Sequence, residues 1–257
     1  MNHASDPSHL AAVQLASEAA FAAGGLIRAN FGKEIKVDES TAHDIKIELD
    51  KRSQKLIEGI LLDRHPHSAI YGEEGIHGDA SGRHQWIIDP IDGTVNFFYG
   101  IPHFCVSIAL REEAEIVAGV IYDPMREELW SACKGGPALL NGRPIRVSNR
   151  TDLAEATITV GFSKSTVSIE KGLPIFERMV RNAKKCRMMG SAALDVAYVA
   201  CGRLDAYIES RISLWDIAAG MLILQQAGGH FRLTPLPDDP DKFAAVATNG
   251  KIDLGLE

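Results

Sequence analysis

Trp86-Ile87-Ile88-Asp89-Pro90-Ile91-Asp92-Gly93-Thr94-Val95-Asn96-Phe97 runs apolar residues straight into two carboxylates. Trp86 to Ile88 reads as a short buried strand. Pro90 has no amide hydrogen to give a sheet ladder, so the strand is expected to stop at Asp89. Gly93 and Thr94 fit the opening of a short helix. Asp89 and Asp92 are then held at one strand-to-helix corner, where the free N–H groups of a helix start can face the same point. Two converging acids repel each other unless a cation joins them. Oxygen donors suit a hard ion such as Mg²⁺, and the N–H groups suit an anion. The corner therefore describes a place for a metal and a phosphate. The plainer alternative is a helix cap beside a strand end.

Downstream, Phe104 to Leu110, Glu115 to Tyr122 and Glu128 to Cys133 read as strands, with turns at Arg111-Glu112-Glu113 and Asp123-Pro124. Asn141-Gly142 marks a hairpin, so this region is expected to be an antiparallel meander. Upstream, the alanine-rich stretch Ser8 to Asn30 predicts a helix capped by Ser8, with Gly32 beyond its end. Between Glu34 and Lys51, Ile45, Ile47 and Leu49 alternate with Lys46 and Glu48, which predicts a half-buried strand closed by Asp50. A helix over Lys51 to Arg64 follows, and taken alone Asp50 reads as its N-cap. Ser68 to Tyr71 is a short strand. Gly72-Glu73-Glu74-Gly75 reads locally as an exposed turn, and Ile76 to Arg83, with Gly78 and Gly82, as a loop. His65, His67, His77 and His84 lack the spacing of a zinc helix and read as solvated.

In the second half, Ala156 to Gly161 predicts a strand and Glu170 to Lys184 an amphipathic helix with Pro174 in its first turn. Ser191 to Cys201 predicts a helix and Asp205 to Glu209 a strand. Leu214 to Ala227 is apolar on nearly every face, so it should be a buried helix. Its one charge, Asp216, lies in the first turn and needs a partner: the helix dipole, a cation, or both. Phe231 and Val246 mark two last strands, joined by a polar loop from Pro235 to Pro240.

The chain has 257 residues, 46% hydrophobic and 24% charged, as expected for a globular α and β domain. It reads as a single catalytic domain over residues 1–257, built from two packed halves that divide near 140–155. No membrane span and no signal peptide are expected, which favours the cytoplasm. Cys105, Cys133, Cys186 and Cys201 show no paired spacing and read as reduced thiols. A net charge of −7 argues against a nucleic-acid surface, yet not against a small anionic substrate recruited through a metal. There is no nucleophile elbow, Walker loop or dinucleotide fingerprint, and Ser168-x-x-Lys171 reads as a chance match.

Three acidic stations occur in order: Gly72-Glu73-Glu74, Asp89-Pro90-Ile91-Asp92-Gly93-Thr94, and Trp215-Asp216-Ile217-Ala218-Ala219-Gly220. Together they resemble the inositol monophosphatase family of lithium-sensitive, Mg²⁺-dependent phosphatases, over about Glu34 to Asn249. Gly190-Ser191-Ala192-Ala193-Leu194-Asp195 and the run Gly202 to Glu209 look like its bacterial branch. The resemblance implies a layered α-β-α-β-α sandwich. It implies that Glu73, Asp89, the Ile91 carbonyl, Asp92 and Asp216 hold roughly two or three Mg²⁺ ions. Gly93 and Thr94 would bind phosphate, and Asp50 and the Thr94 hydroxyl would orient the attacking water. Asp92, Gly190, Ser191, Ala192 and Glu209 would contact the substrate. A small phosphorylated polyol, a homodimer and Li⁺ inhibition are also implied.

The sequence departs from the family pattern in three places. Lys46-Ile47 stands near the place of a common Val-Thr, Ser213 falls where some animal members carry histidine, and the usual C-terminal helix is not expected. The expected activity is inositol-1-monophosphatase. Histidinol phosphate, a sugar bisphosphate or a 3′-phosphonucleotide are the alternative substrates. A non-catalytic, RNA-related regulator is the alternative of another class.

Overall fold

The computed structural model describes residues 6–40, 45–78, 83–162 and 166–256. Helix α1 (Pro7–Asn30) is capped by Asp6, whose carboxylate takes the Ser8 amide, so the cap lies two residues before the expected Ser8. Strands β1 (Val37–Ser40) and β2 (Ile45–Ile47) form a small antiparallel pair. Helix α2 (Glu48–Arg64) begins earlier than the alternation suggested. Leu49 is buried as a helical residue, and Asp50 is not an N-cap but the third residue of the first turn.

An eight-stranded sheet follows, from β3 (Ala69–Gly72), β4 (Gly75–Gly78), β5 (His84–Asp92), β6 (Cys105–Glu112), β7 (Glu115–Asp123), β8 (Glu128–Cys133), β9 (Leu139–Leu140) and β10 (Arg143–Pro144). Its order is β10-β9-β8-β7-β6-β5-β3-β4, antiparallel except where β3 lies parallel to β5. The expected meander is present, and Asn141 and Gly142 turn the last hairpin with positive φ. The stretch read as a loop after Gly75 opens as β4, whose backbone pairs with β3; Gly82 of that reading lies outside the described residues.

The quoted stretch does not end its strand at Asp89. β5 is bulged across Pro90: Asp89 pairs with Ser107, the register slips, and Asp92 pairs with Cys105. The bulge absorbs the proline's missing donor and re-aims the strand end. Helix α3 (Thr94–Phe98) then starts from Gly93, whose φ of 98° only glycine adopts without strain.

A second sheet of order β12-β11-β13-β15-β14 carries the later half. It comprises β11 (Thr157–Gly161), β12 (Lys185–Arg187), β13 (Ala206–Ser213), β14 (His230–Leu236) and β15 (Asp239–Thr248). The hairpin extends through the stretch read as a proline-rich loop, because Pro235 still pairs with Phe243. Helix α4 (Thr166–Asn182) starts a turn before the predicted Glu170, so Pro174 lies inside it. Helix α5 (Ala192–Ala200) is wholly buried, and helix α6 (Leu214–Gln226) is buried through its middle, Ile217–Gly220 and Leu222–Leu224.

The layers are α1 and α2, the eight-stranded sheet, α5 and α6, the five-stranded sheet, and α4. Three apolar clusters fill the gaps between them. This is the α-β-α-β-α sandwich expected from the resemblance. Helix α1 is long and apolar enough to cross a membrane by length and composition, a test that a core helix also passes. Its apolarity has a local use, since Leu15, Ala19, Ala23 and Ile27 pack into the core against β6 and β7.

Candidate active site

Asp50 and Asp216 are built alike. Each is the third residue of a helix that directly follows a strand, and each carboxylate reaches back to a backbone amide. Asp50 Oδ2 accepts from Ile47 N and Asp216 Oδ2 from Ser213 N, both at 3.0 Å. An acid here satisfies an orphan donor and sits in the positive field of the helix start. That explains the residue type locally and leaves the second carboxylate oxygen of each for other work.

Asp89 and Asp92 from β5 meet Asp216 from α6, with one oxygen of each within 4.8 Å of the others. Asp89 is fixed by the Ile91 amide, which donates to its Oδ1 at 3.0 Å. Asp92 is held by the start of α5: Ser191 Oγ and Ala193 N donate to Oδ2, each at 2.7 Å, and Ala192 N reaches Oδ1 at 3.3 Å. Burial pushes all three acids up, Asp92 and Asp216 to about 6 and Asp89 well above its ordinary value. Repulsion adds to this, chiefly from Glu73 on Asp89 and from Asp92 on Asp216. The closeness of Asp89 and Asp216 raises the first and lowers the second, so a proton is retained on Asp89 before Asp216. Buried, mutually repelling, all-oxygen donors fit a hard divalent cation.

These acids open into a cleft of about 660 Å³ between the two sheets. Glu73, Ile91, Gly93, Thr94, Gly190, Ser191, Ala192 and Glu209 line it, as the resemblance implied. A side chain on Gly93 would come within 3.0 Å of His103 O and 3.2 Å of Gly190 O, so glycine keeps this corner tight. The Thr94 hydroxyl donates to Ile91 O at 2.8 Å. Asp50 is not among the residues that line the cleft. It is 2% exposed, its Oδ1 has no hydrogen-bond partner, and burial, with some repulsion from Glu73 and Glu74, lifts it to about 8.

Glu209 also lines the cleft, buried, and is pushed up to about 8 by desolvation, against the Tyr207 hydroxyl that donates to its Oε2 at 2.6 Å. Gly161 makes room for it, because a Cβ there would lie 1.9 Å from Glu209 Oε2. Asp195 also lines the cleft, buried, with Oδ1 unpartnered. Sequence reasoning assigned no role to Tyr207, Asn96, Asp195 or Lys242. Tyr207 was within reach, since it sits two residues before Glu209 on the same strand face. Asn96 lay inside the quoted stretch; its amide donates to His103 O at 2.8 Å and Met189 O at 2.9 Å and staples α3 to the Gly190 turn. Only long-range folding exposes these last contacts.

The family model described as the inositol monophosphatase family matches residues 9–250. The Nus factor SuhB of Xylella fastidiosa is 40% identical, over 96% of this chain and 93% of that protein. An inositol-1-monophosphatase of Synechocystis sp. is 39% identical, over 95% of this chain and 86% of its own length. Among solved structures, the extragenic suppressor protein SuhB of Bartonella henselae is 35% identical with a TM-score of 0.84, over 91% and 93% of the two chains. With the acidic cluster and its cleft in the layers described above, these likenesses identify the chain as a member of the inositol monophosphatase family.

Proposed function

We propose that the chain is a Mg²⁺-dependent phosphomonoester hydrolase acting on a phosphorylated polyol, with inositol 1-phosphate as the reference substrate. The observation that carries the reading is the convergence of Asp89, Asp92 and Asp216 on one cleft that Glu209 also lines. Mg²⁺ would supply an acidified water and positive charge for the leaving oxygen. Asp89, Asp92 and Asp216, with Glu73 and the Ile91 carbonyl, would hold it. Gly93 and Thr94 would orient the phosphate through their amides. The Thr94 hydroxyl would leave Ile91 O to hold the attacking water, whose proton would pass toward Asp50. Gly190, Ser191, Ala192 and Glu209 would receive the alcohol; the first three are small and leave room for a six-membered ring.

The relatives' names divide between inositol-1-monophosphatase and Nus factor SuhB. The catalytic reading is favoured because every acid the chemistry needs is present, and four of them line a single cleft. We further propose that both halves, dividing near 140–155, work as one catalytic domain, since residues from each line the cleft. The proposed setting is a cytoplasmic homodimer inhibited by Li⁺, and four unpaired cysteines accord with a reducing compartment. Phosphate release from inositol 1-phosphate, histidinol phosphate, fructose 1,6-bisphosphate and a 3′-phosphonucleotide, with and without Mg²⁺, tests the reading. Metal-dependent release is expected from inositol 1-phosphate and fructose 1,6-bisphosphate, each ahead of histidinol phosphate and the 3′-phosphonucleotide in kcat/KM. Release from none of them would overturn the enzyme reading, and a wide preference for histidinol phosphate would overturn the polyol.

A further inference from the structure

One wall of the cleft carries a cation that this mechanism does not use. β15 continues past the bulge in β13, so Lys242 lies opposite Ser213 where α6 begins. Its ammonium donates to Ser213 Oγ and stands 5.3 Å from the centre of the Trp215 ring. Both contacts are neutral. Arg211, the other cation lining the cleft, is spent on Asp238 and Asp239 at 2.8 and 2.6 Å. Among the described residues, no carboxylate lies within ion-pair distance of Lys242. Its charge nevertheless reaches Glu209 and Asp216, drawing both carboxyls down against their burial.

A lysine whose task was to neutralise Asp216 would pair with it. Asp216 instead gives Oδ2 to the Ser213 amide, and Lys242 is held by a hydroxyl and a ring face beside it. An ammonium has three donors, so the bond to Ser213 leaves two for a ligand. The ammonium lines the cleft close enough to Glu209, the residue that would face the alcohol, for its charge to act on that carboxyl. A hydroxyl there needs no full charge; an anion does.

Resting on the phosphatase reading, we infer that Lys242 determines specificity by binding a second anionic group on the alcohol part of the substrate. The favoured substrates are then phosphorylated polyols that carry a further phosphate or a carboxylate. Ser213 and Trp215 act as the rest position of the ammonium, and Glu209 sorts the hydroxyls beside it.

The test compares wild type, Lys242→Met and Lys242→Arg at saturating Mg²⁺. The substrates are inositol 1-phosphate, inositol 1,4-bisphosphate and 6-phosphogluconate. Wild type should favour one of the two doubly anionic substrates over inositol 1-phosphate in kcat/KM; which of them leads tells a second phosphate from a carboxylate. Lys242→Met should raise KM for that substrate by about tenfold to a hundredfold, the range for losing a hydrogen bond to a charged group, and by clearly less for inositol 1-phosphate. Lys242→Arg should restore most of the preference. Equal losses on all substrates would overturn the inference and leave Lys242 a structural partner of α6. Wild-type hydrolysis with no preference for a second anion would also overturn it, while the phosphatase reading stands. No hydrolysis of any of the three would sink both.

Discussion

The hydroxyl of Ser191 donates a 2.7 Å hydrogen bond to the carboxylate of Asp92. Asp92 ends a strand of the eight-stranded sheet, whereas Ser191 caps α5, which packs against the five-stranded sheet. The bond therefore ties a proposed metal ligand to the turn that would receive the alcohol. Asp92→Asn keeps the shape but turns one carboxylate oxygen into an NH₂, which then faces either the Ala192 amide or the Ser191 hydroxyl with the Ala193 amide, donor against donor. It should lose Mg²⁺-dependent activity by a hundredfold or more while staying folded, with a stability loss of about 1–3 kcal/mol from the mismatched donors. Ser191→Ala should cost about 1 kcal/mol in stability and a smaller part of the activity. Circular dichroism melts and phosphate release check both, and full activity in Asp92→Asn would remove the metal-site claim.

The raised acids fix a pH dependence. Asp92 and Asp216 stand at about 6 in the fold, against an ordinary value of 3.8. Between about pH 4 and pH 6 the folded state keeps protons that the unfolded state has released, so their contribution to stability falls as pH rises through that window. Above it the charged acids repel, and a divalent cation relieves the repulsion. Mg²⁺ should therefore raise Tm more at pH 7.5 than at pH 5. Melting curves in EDTA and in Mg²⁺ at the two pH values measure this, and equal shifts would contradict it.

The layers and the acids were legible in the sequence to different depths. Asp89 and Asp92 could be read because apolar residues ran into them, and the all-apolar α6 left Asp216 conspicuous. The bulge at Pro90 was missed because a proline's missing donor can end a ladder or be absorbed by a register slip, and only the partner strand decides. Leu49 continued the alternation of Ile45 and Ile47, yet it opens α2, since a period-two run and the first turn of a helix coincide over so few residues. Lys242 gave no local signal at all. Its neighbours Ser213 and Trp215 lie more than twenty-five residues back in the chain, and the β14–β15 hairpin brings them together.

Tyr207 and Glu209 form a pair whose removal is readable by pH. The tyrosine hydroxyl holds the Glu209 carboxyl below where burial alone would put it. Tyr207→Phe deletes that donor and should move the Glu209 titration from about 8 to higher pH. The alkaline rise of kcat/KM on a polyol phosphate should follow it upward. Glu209→Gln should abolish that dependence and cost about tenfold more on inositol 1-phosphate than on an aryl phosphate, since one buried hydroxyl contact has that value. A pH profile that Tyr207→Phe leaves in place would dissociate Glu209 from the substrate.

The last prediction concerns Asp50 and Thr94, whose hydrogen bonds go to other partners, the Ile47 amide and the Ile91 carbonyl. Thr94 lines the cleft with its hydroxyl on Ile91 O, while Asp50 is buried with Oδ1 unpartnered and a value near 8. A buried, unpartnered carboxyl oxygen is costly, so it marks a place for a proton or a water. If one water path joins the two residues, each acts only through the other. Thr94→Ala and Asp50→Asn should then each lower kcat by about a hundredfold, within the range for proton transfer by a positioned group. The double variant should lose little beyond either single one, because a path broken once is broken. Asp50→Asn should also flatten the pH profile below 8, which loss of its bond to the Ile47 amide alone would not do. Losses that multiply, with the profile unchanged, would reduce Asp50 to the residue that steadies the start of α2.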